Sequence, residues 1–325
     1  MSVLDDRRRI TKERLDALQG QLGRASEVLQ GKACVYLTGS VARGEAGKNS
    51  DLDLFIVGLE DDKGQRLLTK LDEIIVKADL ITKSREMDFP DFSGDGEYLV
   101  HYTLGTLRKN LGDPKDDAEN TFTARLLLLL ESHPLLGEST YQRIIDEVIA
   151  SYWRDFVEHS SDFVPAFLAN DIVRMWKTFC VNYEARTEKA PPERLAKRKL
   201  MNYKLKHSRM LTCYSGLLYL LWVCRANNTV TPEDAKHMVR LSPTKRLDWL
   251  KAQFPASATL VDSLLEEYEA FLAATEPKKE DLLIIFGDRD RARAQLQQAK
   301  DFGERIFKLI IEVGQNSPLY RFLLV

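Results

Sequence analysis

Two short apolar runs, "ACVYLTG" at Ala33–Gly39 and "LDLFIV" at Leu52–Val57, are joined by a polar loop that opens on Gly39-Ser40 and closes on Asp51 and Asp53. Runs this short, bounded by glycine and polar residues, suit neighbouring β-strands. Residues i and i+2 of a strand share a face, with Cα atoms about 6.6 Å apart. Asp51 and Asp53 therefore present two carboxylates to one side, while Leu52 and Leu54 face a core. Like charges that close repel, and one of them tends to take up a proton unless something offsets the charge. A divalent cation does so. Two Mg²⁺ ions about 3.5–4 Å apart can share such carboxylates and clamp the attacking and leaving oxygens of a phosphoryl displacement. Mg²⁺ also favours a few carboxylates plus substrate phosphates over a cage built only from protein.

The Gly39-Ser40 turn supplies a complementary half. Glycine lets backbone approach a phosphate closely, and the Ser40 hydroxyl and nearby N–H groups can donate to its oxygens. Arg43 lies in the same loop, suited to a triphosphate, although a loop arginine is as readily a solvated charge.

Elsewhere the pattern is mostly helical. Residues 5–30 carry Leu15, Leu18, Leu22 and Leu29 at helical spacing, and 64–76 repeat that period. Glu86–Phe89 reads as a short strand followed by a loop punctuated by Pro90, Gly94 and Gly96. From Tyr98 onward the segments 98–110, 119–132, 139–153, 164–187, 198–226, 258–274 and 289–313 all read as helices. Pro191-Pro192 makes the clearest break between them. The expected fold class is α+β: a mixed-sheet head over residues 1–112 that includes the N-terminal helix, with helices on one side of its sheet. A larger, all-helical substrate-binding domain follows over 113–325.

With 44% hydrophobic and 30% charged residues over 325 positions, the chain reads as an ordinary soluble globular protein. A formal charge of −2 excludes coating of nucleic acid through net charge, but leaves room for local basic patches. The charged N-terminus and the absence of a long apolar run imply no signal peptide, no membrane span and a cytoplasmic location. Four widely spaced cysteines read as buried free thiols of a reducing compartment.

The Gly-Ser pair, a loop of ten residues and then "DLD" between apolar flanks resembles the polymerase-β-like nucleotidyltransferase superfamily. "GSVARGE" is most similar to small bacterial members, including toxin-like and antiphage types. The resemblance implies transfer of an NMP from an NTP (ATP, for instance) to an acceptor with release of pyrophosphate, and two Mg²⁺ ions, or Mn²⁺, bound at Asp51 and Asp53. Gly39 and Ser40 then hold the nucleotide's phosphates. The superfamily's third acid, which binds metal and draws the acceptor proton, falls on Asp88 in the h-D-h pattern of "EMDFP", with Asp91 and Glu97 as competitors. A toxin-like relative further implies an antitoxin protein as partner.

The acceptor stays open at this level: RNA such as a tRNA 3′ end, a small molecule, a protein, or another nucleotide. A non-catalytic nucleotide sensor on the same fold is the reading from a different class, and two intact motif aspartates weigh against it. "RLAKRKLMNYKLKHSR", Arg194–Arg209, has seven Lys/Arg and no acid. It is either a solvated helix face or a basic wall for triphosphate or RNA. Lys204 and Ser208, four apart on one helical face, are assigned to the nucleotide.

Overall fold

The computed structural model describes residues 2–47, 50–92, 99–188, 191 and 194–323. It divides into two compact units, Met1–Arg154 and Asp155–Val325.

The first unit runs α1 (Val3–Gln21), α2 (Gly23–Leu29), β1 (Ala33–Thr38), α3 (Gly39–Ala42), β2 (Asp53–Gly58), α4 (Lys70–Glu86), β3 (His101–Thr103), α5 (Leu104–Lys109), α6 (Lys115–Ala118), α7 (Thr121–Glu131), β4 (His133–Leu136) and α8 (Glu138–Tyr152). Its strands form a four-stranded mixed sheet in the order β3-β2-β1-β4. β1 pairs antiparallel with β2 and β4, and β2 pairs parallel with β3. The two apolar runs thus become β1 and β2, at the centre of the sheet.

Alternation along these strands builds two cores. Val35, Leu37, Leu54 and Ile56 join Leu15 and Leu18 of α1, Leu22 between α1 and α2, Ala25 and Leu29 of α2, and Val76 and Leu80 of α4 in one buried cluster. On the opposite face Tyr36 stacks on Phe55 with centroids 5.3 Å apart and also meets Tyr141 of α8. The buried Tyr36 hydroxyl donates to the Ala124 carbonyl of α7 at 3.1 Å. Helices therefore cover both faces, not one. Because β4 pairs with β1 and α7 and α8 complete the second core, the sheet unit continues well past residue 112. Arg125 of α7, fully buried, is held by the Asp116 carboxylate, the Tyr152 hydroxyl and the Leu107 carbonyl, and so ties α5 to α8 around that core.

The strand expected at Glu86–Phe89 is absent. α4 continues to Glu86 and ends in a Schellman motif: Asp88, at φ +56°, donates its N–H to Arg85 O, and Phe89 N donates to Ser84 O. Aspartate tolerates this left-handed conformation better than most residues. Phe89 then turns into the core, 6% exposed.

The second unit is helical among its described residues: α9 (Ala166–Thr187), α10 (Leu195–Lys204), a π-helical turn (Leu205–Arg209), α11 (Met210–Asn227), α12 (Pro232–Arg240), α13 (Pro243–Gln253), α14 (Ala258–Ala274), α15 (Lys279–Gly287), α16 (Arg289–Gly314) and α17 (Pro318–Arg321). No helix is long and apolar enough to cross a membrane among the described residues. α11 is buried on most of its circumference and forms the centre of the unit.

The π-helical turn aims His207 inward, 1% exposed, where its ring stacks on Phe271 (4.6 Å) and meets Tyr203 and Phe302. Burial pushes its pKa down to about 4, against a small opposing pull from the Tyr203 carbonyl. The folded state thus holds the imidazole neutral, while the unfolded chain protonates near pH 6.5. Stability through this group is complete above pH 6.5 and falls as pH drops toward 4, by about 3 kcal/mol in all. Urea midpoints taken at pH 7 and pH 4.5 should therefore diverge more for the native chain than for His207→Phe. Parallel losses in the two proteins would remove His207 from the account.

Candidate active site

The end of β1 and the start of β2 meet at one edge of the sheet. Thr38 pairs with Asp53, so the chain leaving β1 at Gly39 turns directly beside the Asp53 side chain. Gly39 has φ +73°, and a Cβ built on it would lie 2.6 Å from Asp53 Oδ2. Only glycine fits there, because both the backbone conformation and the space exclude a side chain. Exposure alternates along the approach: Asp51 exposed, Leu52 3% exposed, Asp53 half-buried, Leu54 3% exposed. Asp51 lies just before β2 and Asp53 opens it, and both are more open to solvent than Leu52 and Leu54.

Ser40 follows in the first turn of α3. Its hydroxyl donates to Ser50 Oγ at 3.0 Å, and Ser50 Oγ in turn accepts from Gly47 N at 3.0 Å. Glu45 N donates to the Ser40 carbonyl at 2.8 Å. Glu45 and Ser50 are therefore both held against Ser40, which follows directly on the glycine beside Asp53.

Arg43 does not project toward this edge as a free cation. It is 6% exposed, and its Nε donates to Glu45 Oε2 at 2.7 Å while Nη1 donates to Glu131 Oε2 at 2.6 Å. The other Glu131 oxygen accepts from Gly39 N at 3.2 Å. Arg7 of α1 donates to the Glu45 carbonyl at 2.9 Å. One carboxylate from α7 thus fixes both the glycine beside Asp53 and the arginine behind it. Sequence reading missed Glu131, taking 119–132 as a helix and no more. The usable signal was an acid ending an apolar helical run, since carboxylates are almost never buried unless paired.

The remaining sequence-derived candidates lie elsewhere. Asp88 is exposed at the end of α4, and Asp91 is exposed and pairs with Arg85 at 2.6 Å. Glu97 lies outside the described residues. Lys204 ends α10 and is exposed, whereas the Ser208 hydroxyl donates back to the Lys204 carbonyl at 2.9 Å within the π-helical turn. Both belong to the second unit, whereas Gly39, Ser40, Asp51 and Asp53 belong to the first. Among the described residues no group of three or more His, Cys, Asp or Glu side chains is arranged to hold a metal ion.

The segment that makes this edge, from the end of α1 through α4, matches a known family: residues 21–89 fit the nucleotidyltransferase domain. The first unit carries a nucleotidyltransferase domain of the polymerase-β-like superfamily. No curated protein matches the chain. The matched stretch of the nucleotidyltransferase domain contains Gly39, Ser40, Asp51 and Asp53 and ends at Phe89, before β3 begins.

The residues of this nucleotidyltransferase domain suit a hard divalent cation in two respects. Carboxylate oxygens are the donors Mg²⁺ takes, and it needs only one or two of them when substrate phosphates supply the rest. Gly39 keeps a cradle open against the Asp53 carboxylate that any Cβ would fill.

Proposed function

We propose that the chain transfers an NMP from a nucleoside triphosphate to an acceptor hydroxyl and releases pyrophosphate, with Asp51 and Asp53 as the metal-holding carboxylates. The observation that carries this reading is the side-chain-free approach of Gly39 to Asp53, which sets a phosphate-compatible backbone against a carboxylate at the mouth of the loop. A bound divalent cation, Mg²⁺ or Mn²⁺, would supply charge neutralisation for the phosphates. Ser40 would exchange its hydrogen bond to Ser50 for one to a phosphate oxygen. Such transfers are accelerated mainly by positioning and charge neutralisation, so a rigid turn is the principal contribution of the protein. We assign Arg43 to that rigidity and not to the phosphates, because two buried carboxylates hold it.

The third acid is assigned to Glu97 over Asp88. β3 is the strand beside β2, and Glu97 stands four residues before it in the chain, whereas Asp88 serves as the left-handed terminator of α4. In this reading Glu97 takes the proton of the acceptor hydroxyl.

The acceptor is assigned to RNA. Residues 170–209 hold eleven Lys/Arg and four Asp/Glu in a chain whose formal charge is −2. The described cations of this stretch decorate α9, α10 and the π-helical turn, interleaved with aromatic rings such as Phe179, over which the Arg209 guanidinium sits at 5.2 Å. Cations alternating with aromatics suit a single strand, whose phosphates and bases they engage in turn. Lys204 and Ser208 fall within this stretch, and Lys204 would meet a phosphate.

Incubation with each labelled NTP, Mg²⁺ and total cellular RNA tests both halves. Label is expected in RNA, and RNA affinity should fall with salt at a log–log slope of roughly −3 if four or five phosphates are engaged. Label in short oligonucleotides or in protein would overturn the RNA assignment. No pyrophosphate release from any NTP would overturn the reaction.

A further inference from the structure

At the other end of the sheet, where β2 and β3 run out in parallel, lies an open cavity of about 620 Å³. Its walls come from the first unit alone: Glu60 after β2, Thr106, Arg108 and Lys109 on α5, and Ser151 and Arg154 at the end of α8. No aromatic side chain is among its lining residues. Asp53 opens β2 and Glu60 follows its last residue by two, so the cavity stands roughly 20 Å along the strand from the carboxylate edge.

Charge distribution in the cavity is lopsided. The one lining acid, Glu60, is already engaged: Oε2 accepts from Gly105 N and Oε1 from the Thr103 hydroxyl, both at 2.8 Å. The approach is close: a Cβ at Gly105 would lie 2.0 Å from Glu60 Oε2 and would displace the carboxylate. Of the three cations, Arg108 is aimed by Ser151 Oγ (3.3 Å) and by Glu147 (2.8 Å). Arg154 is anchored through Nε to the Ser151 carbonyl at 3.0 Å, a bond that does not use its two terminal nitrogens. Neither Arg154 nor Lys109 forms an ion pair among the described residues, and both are exposed. Two anchored guanidinium groups and an ammonium, converging on a volume of ligand size with no aromatic surface, match phosphate groups and not a base.

We propose that this cavity is a second phosphate-binding site, independent of metal and separate from the Asp51–Asp53 edge. Two sources present the same chemistry: a free di- or triphosphate group, and the backbone of a nucleic-acid strand passing over α5 and α8.

Titration calorimetry of the full chain with inorganic pyrophosphate in EDTA separates this site from the carboxylate edge. The native protein and the Asp51→Ala/Asp53→Ala variant should bind alike, and Lys109→Glu/Arg154→Glu should bind about tenfold more weakly or worse with an unchanged melting temperature. Anisotropy with a single-stranded RNA of about 12 nucleotides is the second arm. RNA binding weakened by the same charge reversal, without pyrophosphate binding, identifies the strand as the source and upholds the site. Unaltered binding of both probes by Lys109→Glu/Arg154→Glu overturns it. So does the failure of both probes to bind the native chain at millimolar concentration, or loss of pyrophosphate binding in the aspartate variant alone.

Discussion

Alanine at both Asp51 and Asp53 is expected to lower nucleotidyl transfer by on the order of 10³-fold or more and to leave the melting temperature within a few degrees. The asymmetry follows from where the two side chains stand. Leu52 and Leu54, each 3% exposed, keep the strand in the core whether or not the carboxylates are present. Removing two neighbouring negative charges relieves repulsion as much as it costs contacts. Transfer depends on both, because they are the two carboxylates assigned to hold the cation. Single-turnover assays with labelled NTP, alongside thermal melts, check both halves. Transfer near the native rate in a folded double variant would place the chemistry elsewhere. The same assay separates the candidate third acids. Asp88→Asn should be nearly silent, since asparagine also tolerates φ +56° and so preserves the end of α4. Asp91→Asn loses only an exposed ion pair with Arg85 and should also be nearly silent. Glu97→Gln should lose activity on the scale of the aspartate pair.

Which parts of this domain could be read in advance follows from how local each signal is. β1, the Gly39-Ser40 turn, Asp51 and Asp53 lie within 21 residues, and each is written in alternation, in a glycine or in spacing that the chain shows without folding. Asp88 was misread because an apolar-acid-apolar triplet is equally a strand fragment and a Schellman end. The discriminating cues were Lys83 and Arg85 in the last helical turn and Pro90 just beyond it. β4 spans four residues between two helices, too few for a periodic signal, and without it α7 and α8 read as part of the helical body. That single omission misplaced the end of the sheet unit and left one face of the sheet uncovered in the expected fold. The π-helical turn is likewise silent in sequence, since Arg194–Arg209 looks like uninterrupted helix. Arg43 shows the limit most clearly. Its neighbours in sequence suggested a triphosphate, but its partner Glu131 is 88 residues away and only the packing of α7 against β1 brings the two together.

That partner makes Arg43 a test of structure against function. Arg43→Met is expected to destabilise the first unit by about 3–5 kcal/mol, because it leaves Glu45 and Glu131, both with fully buried side chains, facing each other without the guanidinium between them. Against a total stability of about 5–15 kcal/mol, that loss is enough to unfold much of the unit on mild warming. Glu131→Gln should cost less, since the amide oxygen can still accept from Gly39 N, and it isolates the charge from the hydrogen bond. Arg43→Lys decides the matter: a lysine keeps the charge but cannot serve two carboxylates in the forked geometry that Nε and Nη1 now provide. If Arg43 is a brace, Arg43→Lys lowers the denaturation midpoint, and transfer falls only as far as the folded fraction does. If it reaches a phosphate, the lysine variant melts like the native chain and its KM for the triphosphate rises. The first outcome is expected, because a guanidinium already held at 2.6 and 2.7 Å by two buried acids would have to give up both ion pairs to meet a substrate.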